Sequence, residues 1–315
     1  MSVSDKPVAV VGGGTIGASW AALFLAHGLV VRLYDPAPQA EPAVRDFVRQ
    51  AWPALRRLVT DADETPPVDS LSFHKSAAAA VEECGFVQEN VPEQLEVKHR
   101  TLAQLESAIA PGSVIASSAS GLTLGQMQAG MKNPARLVLG HPFNPPHLIP
   151  LVEIFGNRVT DPDAIDEAEA FYIGCGKVPI RLRREVPGHV ANRLQAALWR
   201  EASHLVTTGV ASLEDVDRAI SAGPGLRWAV AGPSSIFNLG AGQQGIATFC
   251  ERFSASFHDW WDSLGDPRLD RVTVATLRDG LADAAAGRDI SSLEKERDSR
   301  LLAVLAALKG KYQLG

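Results

Sequence analysis

A chain of 315 residues, 46% hydrophobic and 21% charged, has the composition of a folded protein and the length of about two domains, which excludes a peptide scaffold or a disordered segment. Thirty Lys plus Arg against thirty-six Asp plus Glu leave a net charge of −6, so no basic field draws the chain to nucleic acid or to a membrane surface. Cys84, Cys175 and Cys250 fit neither a metal motif nor a disulfide framework and suit a reducing cytoplasm, so no metal is expected. Asp5 and Pro7 ahead of a short apolar run argue against a signal peptide, and no run of about 18 apolar residues could span a bilayer.

Short β-branched runs at residues 8–11, 29–34, 71–73, 85–87, 113–116, 137–139, 151–155 and 177–182 predict strands. Segments 16–27, 94–110 and 163–173 carry apolar residues at helical spacing, and Pro162 stands where the last of these begins. Strand, helix, strand implies right-handed crossovers and an α/β, doubly wound, mainly parallel sheet of Rossmann type. Segment 36–70 holds an amphipathic helix at 42–57 and an exposed TDADETPP loop, and is expected to project from the sheet. After Leu182 the strand signals stop. Residues 1–186 are therefore expected to form a nucleotide-binding domain and residues 187–315 an all-helical one.

GGGTIG at 12–17 satisfies GxGxxG directly after the strand VAVV and opens a helix near Thr15, and a second strand then ends in Asp35, 18 residues beyond Gly17. Each part has a physical purpose, in turn a tight bend, close approach of backbone to a pyrophosphate, close helix packing, and a carboxylate for the adenosine ribose. Gly12, Gly14, Thr15, Ile16, Gly17 and Asp35 are the candidate cofactor residues. Asp35 would repel a 2′-phosphate, and the PAPQAE that follows it offers no arginine, so NAD is expected rather than NADP.

Three polar residues stand where strand ends should converge: Ser120, His141 and Glu153. Glu153 lies inside the apolar run LVEIF, where a carboxylate needs a partner, and His141 stands 12 residues earlier. Spacing alone leaves two readings open: a catalytic histidine with its carboxylate, or a structural ion pair, a turn histidine and a helix cap.

GGGTIG with Asp35, VPEQLEVK at 91–98, SSAS at 117–120, HPFNPPHLIPLVE at 141–153 and PGHVANRL at 187–194 resemble, in order and spacing, the 3-hydroxyacyl-CoA dehydrogenase superfamily. GPGLRWAVAGP at 223–233 is most similar to its lambda-crystallin and L-gulonate 3-dehydrogenase branch, with carnitine 3-dehydrogenase next. The resemblance implies an NAD-dependent oxidoreductase in which His141 is the general base, Glu153 orients it, Ser120 and Asn192 meet the substrate oxygen, and Glu93 and Lys98 lie beside the cofactor. It also implies a homodimer formed through the helical domain, with Trp260 and Trp261 as candidate interface residues. A crystallin-like structural or nucleotide-sensing role is the rival from outside enzymology.

Departures from the acyl-CoA enzymes bear on the substrate. Ser118 replaces a common Asn, Pro142 an aromatic, and the arm carrying Arg45, Arg49, Arg56 and Arg57 runs into Asp61, Asp63 and Glu64. A small 3-hydroxy acid of the gulonate type is therefore expected, with carnitine or 3-hydroxyacyl-CoA as alternatives. Arg227 is the candidate for its carboxylate, against a surface pair with Glu214, Asp215 or Asp217. Phe143, Trp199 and Trp228 are candidate ligand-packing aromatics, with core packing as the alternative for each.

Overall fold

In a computed structural model, which describes residues 6–308 and Lys311, the chain divides into two compact units, Met1–Arg193 and Leu194–Gly315. Asp5 lies outside the described residues. The first unit runs β1 (Val8–Val11), α1 (Thr15–Ala26), β2 (Val31–Tyr34), α2 (Ala40–Leu58), β3 (Leu71–Phe73), α3 (Ala77–Val81), β4 (Phe86–Glu89), α4 (Leu95–Glu106), β5 (Val114–Ser117), α5 (Leu124–Gln128), β6 (Leu137–Pro142), β7 (Leu151–Phe155), α6 (Pro162–Gly174) and β8 (Val178–Arg181). Eight strands form one sheet in the order β3-β2-β1-β4-β5-β6-β7-β8, parallel except where β6 meets β7.

Period-two alternation explains why both faces are covered. Val8 and Val10 point into a layer with Trp20 and Phe24 of α1 and Phe171 of α6, whereas Ala9 and Val11 point into a layer with Leu102 and Leu105 of α4. The chain leaves β1 toward β2 on one side and returns to β4 on the other, so a crevice opens at the carboxyl ends of β1 and β4, the usual ligand position in such sheets.

Segment 36–70 does not project, contrary to the expectation from its composition. Val44, Val48, Ala51, Trp52 and Leu55 make an apolar stripe on α2 that is buried in the same core layer as α1. Two of its arginines are also committed locally, Arg45 to Glu41 and Arg49 to Asp46.

The second unit continues α7 (Ala191–Thr207) and adds α8 (Leu213–Ala222), α9 (Pro224–Trp228), α10 (Pro233–Gly240), α11 (Gly245–Ser263), α12 (Arg271–Ala285) and α13 (Ile290–Leu308). Ser212 caps α8 and Asp270 caps α12, each accepting a backbone N–H from the first turn. Within this unit Phe237 stacks on Phe249, and Phe257 meets Trp260 and Trp261, yet both tryptophans remain more than half exposed. Among the described residues no helix is long and apolar enough to cross a membrane.

Candidate active site

The glycine turn has the shape a pyrophosphate requires. Gly12 has φ +95°, and a Cβ there would come within 2.7 Å of the Asn90 carbonyl, so only glycine fits. At Gly17 a Cβ would overlap the Gly12 carbonyl oxygen, which explains the third glycine as a packing requirement. Gly14 is exposed, and a Cβ there would meet no protein atom within 4 Å, so this face of the turn is open to a ligand. Helix α1 starts beside it with no side-chain cap and no acidic residue in its first turn, leaving the N–H groups around Thr15 and Ile16 for an anion. Asp35, at the end of β2, accepts N–H bonds from Gly13 at 2.7 Å and Ala37 at 2.8 Å. Each oxygen keeps a lone pair for a ribose hydroxyl, and the residues present fit NAD.

The β4 side of the crevice is held by a buried ion pair. Lys98, only 1% exposed, donates to both oxygens of Glu89 at 2.9 Å and to the Val91 carbonyl at 3.3 Å, while Ser117 donates to the same carboxylate. The three ammonium protons are therefore spent on Glu89 at the end of β4 and on Val91 in the loop that lies against Gly12. Glu93 is exposed at the rim, and its carboxylate takes the N–H groups of Gly121 and Leu122 at 2.8 and 2.7 Å and that of Ser120 at 3.4 Å. Partial burial pushes its pKa up, but these amides and the Lys98 charge outweigh that and hold it below the ordinary carboxylate value.

His141 and Glu153 face each other across the antiparallel β6–β7 pair, which is why residues 12 apart in sequence meet. His141 Nδ1 lies 2.9 Å from Glu153 Oε2, and both side chains are buried. The other carboxylate oxygen accepts N–H bonds from Val190 at 2.8 Å and Ala191 at 3.0 Å, where the chain enters α7. Burial pushes the Glu153 pKa up, yet His141 and these two amides bring it below the ordinary value, so the carboxylate is ionised. Nδ1 then carries the ring proton and donates it to Glu153, which leaves Nε2 as an acceptor. Among the described residues it takes no hydrogen bond, and it is not sealed from solvent. Ser120, on the loop after β5, and Asn192, at the start of α7, likewise carry side chains with no hydrogen-bond partner among the described residues.

Residues 7–186 match the family model for the 3-hydroxyacyl-CoA dehydrogenase NAD binding domain, and residues 188–275 match the model for its C-terminal domain. The chain belongs to the 3-hydroxyacyl-CoA dehydrogenase family. Like that family, it is an NAD-dependent oxidoreductase that acts on a CH–OH group, and its cofactor is NAD. It is 47% identical over 302 residues to an L-carnitine dehydrogenase of Streptomyces coelicolor, covering 96% of this chain and 94% of that one. An L-carnitine dehydrogenase of Pseudomonas putida is 41% identical over 306 residues, covering 96% and 94%. Among solved structures, an NAD+-dependent 5-formyl-3-hydroxy-2-methylpyridine 4-carboxylic acid 5-dehydrogenase superposes with a TM-score of 0.81 at 28% identity, covering 97% of this chain and 99% of that one.

Two residues beside His141 and the Ser120 loop were not legible in the sequence. His189, in the left-handed region at φ +50°, is buried with its ring centroid 4.8 Å from that of His141. Its Nε2 lies 3.2 Å from the Ala119 carbonyl, so this nitrogen carries the proton, and Nδ1 has no partner among the described residues. Glu185 accepts the Leu124 N–H and so ties the Ser120 loop to the segment before α7. The only advance signal for either was the turn sequence EVPGH itself. Arg227, in the second unit, is exposed on α9, and among the described residues it forms no ion pair with Glu214, Asp215 or Asp217, the first two of which bind Arg218.

Proposed function

We propose that this protein oxidises the 3-hydroxyl of L-carnitine, using NAD as hydride acceptor and the His141–Glu153 pair to take the proton. The order of candidate substrates inferred from the sequence, gulonate first and carnitine second, is thereby reversed. What carries this reading is 40% or greater identity to several L-carnitine dehydrogenases over nearly the whole chain, together with the open Nε2 of a carboxylate-bound histidine.

When bound, NAD supplies the acceptor for the hydride leaving C3. His141 Nε2 takes the hydroxyl proton as the carbonyl forms, and Glu153 stabilises the resulting imidazolium while its two backbone bonds keep it in register with β6. Ser120 and Asn192 are assigned to the oxygen that becomes the carbonyl, and Arg227, whose guanidinium pairs with no carboxylate among the described residues, to the substrate carboxylate. Glu93 and Lys98 shape the cofactor crevice through the loops they hold. Residues 187–315 are assigned to substrate binding and to a homodimer, because Trp260 and Trp261 leave large apolar faces uncovered in the monomer. A reducing compartment such as the cytoplasm suits three free cysteines, of which burial pushes Cys84 and Cys175 up to about 12.

The test is NADH formation with L-carnitine, L-gulonate, 3-hydroxybutyrate and 3-hydroxybutyryl-CoA. The proposal expects kcat/KM for L-carnitine to exceed the others by about tenfold or more, about 1.4 kcal/mol of transition-state discrimination. A higher value for any of the other three would reject it.

A further inference from the structure

Resting on the carnitine reading, we propose that Glu185 is the countercharge for the substrate's quaternary ammonium, received in the cavity between the Ser120 loop and the segment before α7. That cavity holds about 140 Å³ and is lined by Ser120, Leu122, Thr123, Glu185, Pro187 and His189 among others. At about 30 Å³ per water it has room for four to five heavy atoms, and a trimethylammonium group has four.

The charge of the lining is what selects the occupant. Glu185 Oε1 accepts the Leu124 N–H, whereas Oε2 takes no hydrogen bond among the described residues. Every other lining side chain is apolar or a hydroxyl, except His189. Its Nε2–H donates to Ala119, and burial, reinforced by His141, lowers its pKa and keeps the ring neutral. Glu93, the other carboxylate near this loop, is already engaged by three amides. Arg183 and Arg184, which precede Glu185, are exposed and screened by solvent. Glu185 thus lines the cavity with one carboxylate oxygen that takes no hydrogen bond among the described residues, and the remaining walls offer Leu122, Val186 and Pro187.

A quaternary ammonium has no N–H to donate, and its diffuse charge is wrapped in methyl groups, so it needs a nearby anion and apolar walls rather than hydrogen-bond acceptors. This lining supplies both. A polyhydroxy acid would find few partners here, and the phosphates of a CoA tail would be repelled. The placement also suits the reaction, because Ser120 lines the same cavity and His189 connects it to His141.

The experiment compares kcat/KM for L-carnitine with that for 3-hydroxy-5,5-dimethylhexanoate, the isostere in which an uncharged carbon replaces the ammonium nitrogen. Wild type, Glu185→Gln and Asp217→Asn are measured, the last altering a carboxylate in the second unit's groove beside Trp199. Glutamine keeps an acceptor for Leu124, so the loop stays tied while the charge is lost. We expect Glu185→Gln to lower kcat/KM for L-carnitine about tenfold, with the isostere and the KM for NAD changed less than about twofold. A carnitine-to-isostere ratio unmoved in Glu185→Gln, or one that collapses in Asp217→Asn instead, overturns this inference alone. Absence of carnitine turnover in the wild type overturns the carnitine reading and this inference with it.

Discussion

Replacing Glu153 by glutamine should slow hydride transfer by about 10³ to 10⁴ through a change of tautomer at His141. The two backbone donors on Oε1, from Val190 at 2.8 Å and Ala191 at 3.0 Å, fix which way the new amide turns. Pointing its NH2 at them would leave both N–H groups unpaired at about 1–3 kcal/mol each, so the amide oxygen stays there and the NH2 faces His141 Nδ1. That nitrogen must then accept, the ring proton moves to Nε2, and Nε2 can no longer take the hydroxyl proton. Loss of a charge-assisted hydrogen bond alone is worth about 1.5–3 kcal/mol, roughly 10- to 150-fold. The wrong tautomer in a serine protease triad costs about 10⁴, so the size of the loss separates the two causes. Steady-state NADH formation reads the rate, and NAD binding should be unchanged. The double variant with His141→Ala should be little slower than His141→Ala alone, since an orienting group has no function once its histidine is gone. Retention of kcat within about tenfold in Glu153→Gln, or losses that multiply in the double variant, would refute the reasoning.

Asp35→Ala should weaken NAD binding and raise the relative use of NADP, because the carboxylate now held by Gly13 and Ala37 would no longer repel a 2′-phosphate; equal NADP and NAD turnover by the wild type would count against this. The Glu153 pKa lies below its ordinary 4.5 in the folded protein, so the stability it contributes is complete above about pH 4.5 and is lost as pH falls through the lower folded value. Urea midpoints should therefore fall more steeply below pH 4.5 in the wild type than in Glu153→Gln, and parallel curves would contradict the assignment. Arg227→Ala should raise the KM for a free hydroxy acid with little change in kcat, whereas a fall in kcat at constant KM would remove it from carboxylate binding. Light scattering at micromolar concentration should give the mass of a dimer, and a monomer would leave the exposed faces of Trp260 and Trp261 without the proposed cover.

Much of the first unit was legible because its signals are local. A buried strand such as VAVV, a glycine at φ +95°, and an aspartate closing β2 all follow from short-range sterics and period-two patterning. The His141–Glu153 pair was legible as a candidate because a carboxylate inside LVEIF needs a partner, and the antiparallel register of β6 and β7 supplies it. What the sequence concealed depends on distant segments meeting. The Val190 and Ala191 amides on Glu153, the ring of His189 against His141, and the tie from Glu185 to Leu124 have no periodicity to reveal them. Lys98 illustrates the same limit. The resemblance implied a place beside the cofactor, and nothing in the sequence revealed that its three protons go to Glu89 and Val91. In segment 36–70, polar residues around the apolar stripe of α2 disguised a core helix as an exposed arm.

The most direct test is a single turnover, in which excess enzyme loaded with NAD is mixed with L-carnitine and NADH is followed in the wild type and in His141→Ala. The wild type should convert the carnitine with a rate about 10² to 10⁴ times that of the variant, while both bind NAD equally. Equal rates in the two proteins, or oxidation of L-gulonate but not L-carnitine by the wild type, would contradict the account.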